Sequence, residues 1–233
     1  EAAKRGTLLS FHEEEPSLVP SPGVNYGSAA AKHFGVPGAM ASAESAMIGR
    51  DIALALDTGA RVLFQHVSSA QSVALIRAGK AMGAKIYAEV TPHHLSLTED
   101  DVPAHGTYAR MNPPLRKEAD RQALIAALAD GTIDMVVTNP PYIPEAQIPE
   151  QPEVRDHDPK AALYGGSADG TLIPERIVMR AAGLLRPGGV LVMEHDISQG
   201  PRLVSFAQAN GFGQAHTGDD WTGRPRYLFA VRS

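Results

Sequence analysis

Residues 133–142, IDMVVTNPPY, lie near the middle of the chain and decide its predicted fold. The apolar part of this stretch is short and rich in β-branched side chains, which is typical of a buried strand. It stops at Asn139 because the two prolines that follow cannot donate to a sheet. We expect a parallel strand over residues 133–138, buried on both faces and central in its sheet. Asn139 and Tyr142 then lie beyond its carboxyl end, where ligands of such sheets bind.

Composition limits the classes of function that remain. The chain has 233 residues, 43% of them hydrophobic and 20% charged, which is enough to bury a core. A net charge of −5 without a basic run gives no reason to expect a nucleic-acid partner, and no apolar run approaches the roughly 20 residues of a membrane span. Cysteine is missing from the sequence, so His, Asp and Glu remain as metal ligands and a cytoplasmic location is favoured.

Before residue 133, apolar runs with polar ends alternate with stretches of helical periodicity. This alternation predicts an α/β fold in which parallel strands are joined by right-handed crossovers. The predicted strands are residues 6–11, 61–65 and 85–90, and the predicted helices are residues 42–58, 72–82 and 117–129, the last closed by Asp130-Gly131.

Three histidines follow the predicted strands at their carboxyl ends. They are His12, His66 and His94, and the ends of parallel strands share one rim. A single histidine at such a position is more often structural than a ligand, but three on one rim favour a metal site.

The residues of this first half resemble the dihydroorotases, which are zinc amidohydrolases of pyrimidine synthesis. The resemblance covers about residues 6–134 through FHEEE, RVLFQHVSSA, KIYAEVTPHHLSLT, YARMNPPLR and LADGTID. It implies a partial TIM-barrel, a zinc cofactor and a small-molecule substrate. His12 and His66 match two imidazole ligands of the family, and Asn112 matches the residue that holds the substrate. His93 and His94 match a motif without an assigned ligand role.

This half departs from the family at two metal-binding motifs. The chain contains no His-x-His pair, and Thr138-Asn139 stands where the family has an aspartate that is both a zinc ligand and the proton-transfer base. A neutral amide can neither replace that charge nor carry a proton near neutral pH. We therefore expect any zinc to be held weakly, by His12 and His66 alone, and Asn139→Asp to tighten it if all strand ends share one rim.

After Tyr142 the sequence predicts a proline-rich loop that faces a substrate, followed by two helices and two strands. The loop is residues 143–159, the helices are residues 172–185 and 201–210, and the strands are residues 190–193 and 226–231, with Pro187-Gly188-Gly189 as a turn.

This second half resembles the C-terminal part of the release-factor glutamine N5-methyltransferases. The motifs include VVTNPPYIPEAQIP, PEVRDHDPKAALYGG, LLRPGGVLVMEHD and DWTGRPRYLFAVR, over residues 133–233. The resemblance implies S-adenosylmethionine as cofactor and the glutamine loop of a release factor as partner. Asn139, Pro140, Pro141 and Tyr142 would form the loop that clasps the glutamine amide. The glycine-rich loop and the acidic residue that hold the cofactor in this family have no counterpart before residue 133.

The sequence thus predicts a hybrid, with residues 1–132 a dihydroorotase-like partial barrel and residues 133–233 a partial Rossmann-like methyltransferase half. The strand at residues 133–138 would be shared, flanked by the strands at 61–65, 85–90 and 190–193. Neither active site is complete, so we expect the chain alone to catalyse neither reaction, and no catalytic residue is assigned. The alternatives are a functional glutamine methyltransferase and a functional zinc-dependent dihydroorotase.

Overall fold

The computed structural model describes residues 1–129 and 133–233, and the predicted helix end at Asp130-Gly131 lies outside them. The chain divides into two compact units, unit 1 (Glu1–Ala127) and unit 2 (Leu128–Ser233). Strands of the described residues form one three-stranded and one four-stranded sheet. The mixed α/β architecture with parallel strands is therefore confirmed.

Unit 1 is built from a three-stranded sheet and the helices that connect its strands. The strands are β1 (Leu8–Phe11), β2 (Arg61–Phe64) and β3 (Ile86–Ala88). The helices are α1 (Ala2–Arg5), α2 (Ala29–Phe34), α3 (Ala41–Thr58), α4 (Ala70–Ala81), α5 (Pro92–Ser96), α6 (Val102–His105) and α7 (Glu118–Leu128).

The sheet of unit 1 is parallel throughout, in the order β1-β2-β3. Phe11 pairs with Phe64 at the carboxyl ends of β1 and β2, so the residues that follow these strands emerge side by side. Helices α3 and α4 cover the sheet closely. A Cβ at Gly79 of α4 would lie 2.8 Å from Ile52 and 2.9 Å from Ile86, which explains the glycine. The predicted alternation of strand and helix holds in this unit.

Unit 2 contains the other four strands. They are β4 (Ile133–Thr138), β5 (Leu185–Glu194), β6 (Phe212–Asp219) and β7 (Pro225–Arg232). Its helices are α8 (Pro152–His157), α9 (Lys160–Leu163), α10 (Leu172–Leu184) and α11 (Gly200–Ala209). The sheet order is β4-β5-β7-β6, with β4 and β5 parallel and the other two pairs antiparallel. Leu191, Met193, Leu203 and Leu228 are completely buried in its core.

The prediction that β4 is a central strand shared by both halves is wrong. Among the described residues β4 pairs with β5 alone and forms one edge of the sheet. Met135 is 55% exposed and Val137 is 68% exposed, so the strand is not buried on both faces. Of the three predicted flanking strands only β5 is a neighbour, since β2 and β3 belong to the other sheet. A short apolar run has the same composition whether its strand lies at the edge or at the centre of a sheet. The sequence pattern therefore could not distinguish the two positions.

Other differences concern the ends of elements and the polar segments. The predicted turn Pro187-Gly188-Gly189 lies within β5, where the pairing shifts from Leu185 opposite Ile133 to Val190 opposite Met135. Strand β6 was not predicted because its sequence, FGQAHTGD, is largely polar. The loop predicted at residues 143–159 contains α8. Across the described part of the chain, every helix is too short or too polar to cross a membrane.

Candidate functional sites

The loop after β4 carries the four residues predicted to bind substrate in unit 2. Asn139 is exposed, Pro140 is buried, and Pro141 and Tyr142 are half-buried. Asn139 lies at a cleft of about 710 Å³ whose walls also include Glu194 and the fully exposed Trp221. Asn139, at the start of the loop, therefore has a polar side chain that faces open space.

Tyr142 is held through its side chain. Its hydroxyl donates a hydrogen bond of 2.7 Å to Glu194 Oε1 at the end of β5, and the guanidinium of Arg226 lies 5.8 Å from its ring centre. Burial, and then the bond to Glu194, raise the pKa of Tyr142 to about 12. The phenol therefore stays protonated and continues to donate throughout the physiological range.

The backbone of Tyr142 is held as well. Its N–H donates to the carbonyl of Leu163 at 3.1 Å, and its own carbonyl accepts a bond of 2.8 Å from Gln199 Nε2. The N–H of Ile143 donates to the same Leu163 carbonyl at 2.9 Å. Within Tyr142 and Ile143, the loop therefore has hydrogen-bond partners at a side chain, at backbone N–H groups and at a carbonyl.

The glycines near this loop allow backbone to pack against backbone. A Cβ at Gly170 would lie 2.2 Å from the Tyr142 carbonyl oxygen, and one at Gly165 would lie 1.8 Å from the Gly170 carbonyl oxygen. Space of this kind is filled by the chain itself, unlike the open N–H cradle that a nucleotide cofactor needs at a helix N-terminus. Gly165 and Gly170 therefore do not provide such a cradle for S-adenosylmethionine.

Unit 1 brings together the two predicted metal ligands. His12 follows β1 and His66 follows β2, and His12 Nδ1 lies 2.9 Å from His66 Nε2 with the rings edge to face. The backbone of His66 has φ 38°, a left-handed conformation that few residues other than glycine adopt. The parallel register of β1 and β2 thus produces the pair that the sequence predicted.

Glu14 and Asn112 complete a chain of polar contacts with this pair. Glu14 Oε2 lies 3.4 Å from His12 Nε2 and accepts a bond of 3.0 Å from Asn112 Nδ2. With His12 Nε2 donating to Glu14, His12 Nδ1 is the acceptor for His66 Nε2. His66 Nδ1 is then an unprotonated nitrogen, and it is buried without a hydrogen-bond partner. Burial, and then the neighbouring imidazole of His12, lower the pKa of His66.

His94 does not join this pair. It is 2% exposed, its Nε2 lies 3.0 Å from the Pro113 carbonyl oxygen and its Nδ1 lies 2.7 Å from the Thr91 hydroxyl. Both nitrogens are therefore occupied by structural contacts, and the predicted third member of the histidine rim is a core residue. Burial, and then the charge of His93, lower the pKa of His94 to about 4, so the ring is neutral near pH 7.

The donor atoms of unit 1 do not fit a catalytic zinc site, which usually takes three protein ligands. His12 Nδ1 and His66 Nε2 face each other at hydrogen-bond distance, and Glu14 contacts the opposite nitrogen of His12. Within residues 1–129 and 133–233, the structure groups no three His, Asp or Glu side chains that could hold a metal ion. No reaction step is therefore assigned to a metal here.

Two residues of the unit 2 site were not assigned a role from the sequence. Glu194 could have been noticed, since it ends a buried strand where polar residues of α/β sheets often act. Gln199 gave no comparable signal because its two partner carbonyls belong to segments 30 and 57 residues away.

Comparison with known proteins confirms the double resemblance. The chain is 60% identical over 144 residues to the release factor glutamine methyltransferase of Bifidobacterium longum (strain NCC 2705), a match that covers 62% of this chain and 48% of the relative. It is 53% identical over 131 residues to the dihydroorotase of Clostridioides difficile (strain 630), which covers 56% of this chain and 31% of the relative. Together, the matches over 62% and 56% of this chain exceed its whole length, so the two matched regions overlap.

The chain spans about half the length of that methyltransferase and about a third of that dihydroorotase. No family model matches it. Among solved structures, an L-hydantoinase (dihydropyrimidinase) from Arthrobacter aurescens is 24% identical, with a TM-score of 0.48, over 57% of this chain and 30% of the other. A methyltransferase from Pyrococcus furiosus is 12% identical, with a TM-score of 0.32, over 75% of this chain and 64% of the other.

Proposed function

We propose that residues 133–233 form a module that binds the side-chain amide of a glutamine on a protein partner. The partner suggested by the resemblance is the glutamine loop of a release factor. Residues 1–132 form a dihydroorotase-like partial barrel in this proposal. The chain is then a hybrid that retains substrate recognition and catalyses neither parent reaction by itself.

The observation that carries the proposal is the contrast between the loop and its tip. Tyr142 is fixed by Glu194, Leu163 and Gln199, while Asn139, three residues earlier, is exposed at the mouth of the cleft. A polar side chain on an anchored loop is suited to recognition because little ordering remains to oppose binding.

The chemistry of the loop suits an amide better than an acid. A glutamine amide offers two N–H donors, which the Asn139 side-chain oxygen and a proline carbonyl of the loop can accept. A glutamate has only acceptors and a negative charge, so the same carbonyl oxygens would repel it. Sites that hydrogen-bond a substrate group reject analogues that lack it strongly, because the buried partners of that group are left unpaired.

Methyl transfer needs the donor held against the same amide nitrogen. Holding two reactants in attack geometry can contribute roughly 7–11 kcal/mol to a reaction barrier, and this contribution disappears when one reactant has no pocket. The chain is assigned no donor pocket because the glycine-rich loop and the acidic residue that hold the cofactor in the resembled family have no counterpart before residue 133. We accordingly expect no methylation of a release factor.

His12 and His66 bind zinc weakly at most in this proposal, and cyclisation of carbamoyl-aspartate is not expected. Two imidazoles without an anionic ligand leave the ion largely solvated. Asn112 would hold a substrate in a dihydroorotase, but here its side chain donates to Glu14.

The test is calorimetric titration of the purified chain with a release-factor peptide that carries its glutamine. We expect saturable binding that falls about threefold to tenfold in Asn139→Ala, the effect of one or two neutral hydrogen bonds. Asn112→Ala is the matched control, since it makes the same change at an exposed asparagine of unit 1, and it should leave binding unchanged.

The same peptide incubated with labelled S-adenosylmethionine should remain unlabelled. Label that the parent chain transfers and Asn139→Ala does not would contradict the assignment of recognition without catalysis. Equal affinity of the parent chain and Asn139→Ala would overturn the proposed module itself.

A further inference from the structure

Gln199 precedes the first residue of α11 and joins three segments of unit 2 through one side chain. Its Oε1 accepts a bond of 3.0 Å from the Asp196 N–H. Its Nε2 donates to two carbonyl oxygens, that of Tyr142 at 2.8 Å and that of Asp169 at 2.7 Å. The residue is 2% exposed, so water does not provide an alternative partner.

The backbone of Gln199 is also fixed. Its N–H donates to the Asp196 carbonyl at 2.9 Å, and its carbonyl accepts from the Leu203 N–H at 3.0 Å in the first turn of α11. A helix of the core therefore holds the amide in place, because Leu203 is completely buried.

The orientation of the Gln199 amide is determined by its partners. The Asp196 N–H is a donor and needs the amide oxygen, while the two carbonyls are acceptors and need the NH₂ group. Among side chains of this length only an amide meets one donor and two acceptors at once. A glutamate would place a charged oxygen against two carbonyl oxygens, and a leucine would remove the partner of all three backbone groups.

We propose that Gln199 is a positioning residue, which fixes the loop of Asn139 to Tyr142 for recognition of the glutamine amide. It does not touch the substrate. By tying the Tyr142 carbonyl to the Asp169 carbonyl and to α11, it sets where the loop leaves the sheet, and thereby where Asn139 stands. The glycine at position 170 lets these groups meet, since a Cβ there would lie 2.8 Å from Gln199 Nε2.

This inference rests on the proposed function for its ligand, and two independent readouts test it in the full chain. One is the affinity for the glutamine peptide, and the other is hydrogen exchange at the amides of Tyr142 and Ile143, which donate to Leu163. The variants are Gln199→Leu and Gln199→Glu. The matched controls are Gln208→Leu and Gln208→Glu, which change an exposed glutamine of the same helix.

We expect both Gln199 variants to bind the peptide about tenfold more weakly, because each loses the two bonds that Nε2 donates to Tyr142 and Asp169. Exchange should accelerate at Tyr142 and Ile143 and stay unchanged at Val192 in the core-facing strand β5. Gln199→Glu should recover part of its affinity relative to the parent chain as the pH falls, because a protonated carboxyl can again donate one bond. The Gln208 variants should behave like the parent chain.

Unchanged exchange at Tyr142 and Ile143 in Gln199→Leu would overturn the inference. Equal acceleration of exchange throughout unit 2 would also overturn it, because it indicates a general loss of stability. Accelerated exchange confined to the loop with unchanged peptide affinity would also overturn it. A parent chain that binds no peptide refutes the proposed function instead, and the exchange pattern alone then decides whether Gln199 fixes the loop.

Discussion

The loop after β4 and the loops after β1 and β2 all follow parallel strands, yet they are held in different ways. The β4 loop is fixed by neighbours from its own unit, namely Glu194, Gln199 and Leu163, and it leaves Asn139 exposed. At the ends of β1 and β2, His12 and His66 have each other as partners at 2.9 Å.

The difference shows which kinds of site depend on local structure. A recognition loop needs only the hydrogen bonds that fix its backbone, and a few neighbouring segments can supply them. A catalytic zinc centre usually needs three protein ligands, each at a set distance from the ion, so two imidazoles do not make such a site. Under the proposed function, recognition persists in unit 2 while metal-dependent chemistry does not persist in unit 1.

The largest expected effect concerns the segment after His66, which depends on one buried carboxylate. Glu44 of α3 accepts hydrogen bonds from the backbone N–H and hydroxyl groups of Ser68 and Ser69 and from the Ser72 hydroxyl. Glu44→Ala leaves these buried donors unpaired, close to the buried Arg116 that bonds Ser68. We expect the free energy of unfolding to fall by about 3–5 kcal/mol.

Urea unfolding followed by circular dichroism measures this loss. Asp57→Ala removes an exposed carboxylate from the same helix and should change stability by less than about 0.5 kcal/mol. If Glu44→Ala is as mild as this control, the segment after His66 is not held by the buried carboxylate.

The next effect distinguishes the structural histidine from the exposed ones. The pKa of buried His94 is lowered to about 4, whereas an unfolded histidine titrates near 6.5. The unfolded chain then binds more protons, so stability contributed by neutral His94 is present above about pH 6.5 and is lost as the pH falls towards about 4. The loss is on the order of 3 kcal/mol, at about 1.4 kcal/mol per pKa unit.

Unfolding free energies at several pH values check this slope. His94→Gln should be less stable at pH 7 but should lose less stability on acidification, while the exposed His105→Gln should retain the slope of the parent chain. An identical slope in His94→Gln and the parent chain would show that His94 does not titrate as a buried group.

The smallest effect is confined to one group of the loop after β4. Glu194→Gln keeps an oxygen that can accept from the Tyr142 hydroxyl but removes its negative charge. We expect the pKa of Tyr142 to fall from about 12 and to stay above its ordinary value, because burial is the larger cause of the rise. Ultraviolet titration, with Tyr142→Phe to identify the signal, measures the change. Glu145→Gln, at an exposed position, should leave the pKa of Tyr142 unaltered. If Tyr142 has the same pKa in Glu194→Gln as in the parent chain, Glu194 does not anchor the Tyr142 side chain.

Sequence reasoning located most of the strands and the residues that follow them, but it did not place β4 at the edge of its sheet. His12 and His66 were expected to meet because their strands were expected to be parallel, and Asn139 was expected beyond β4 because prolines end that strand. Both inferences use only the local sequence and the geometry of parallel strands. The position of β4 in its sheet could not be obtained in this way, since Met135 and Val137 are equally apolar whether they are covered or exposed.

The residues that anchor the loop are harder to predict from a sequence pattern. Gln199 acts through Tyr142 and Asp169, and only the folded chain brings these three together. His94 was misjudged for a different reason. It follows a predicted strand end as His12 and His66 do, but Thr91 and Pro113 occupy both of its nitrogens.

The most direct test of the central claim is a nuclear magnetic resonance titration of the isotope-labelled chain with two peptides that differ only in carrying glutamine or glutamate. The account predicts that the glutamine peptide shifts the Asn139 side-chain NH₂ and the Tyr142 amide, that signals around His12 and His66 stay in place, and that the glutamate peptide shifts neither group. Equal shifts with both peptides, or shifts that leave Asn139 and Tyr142 unmoved, would contradict it.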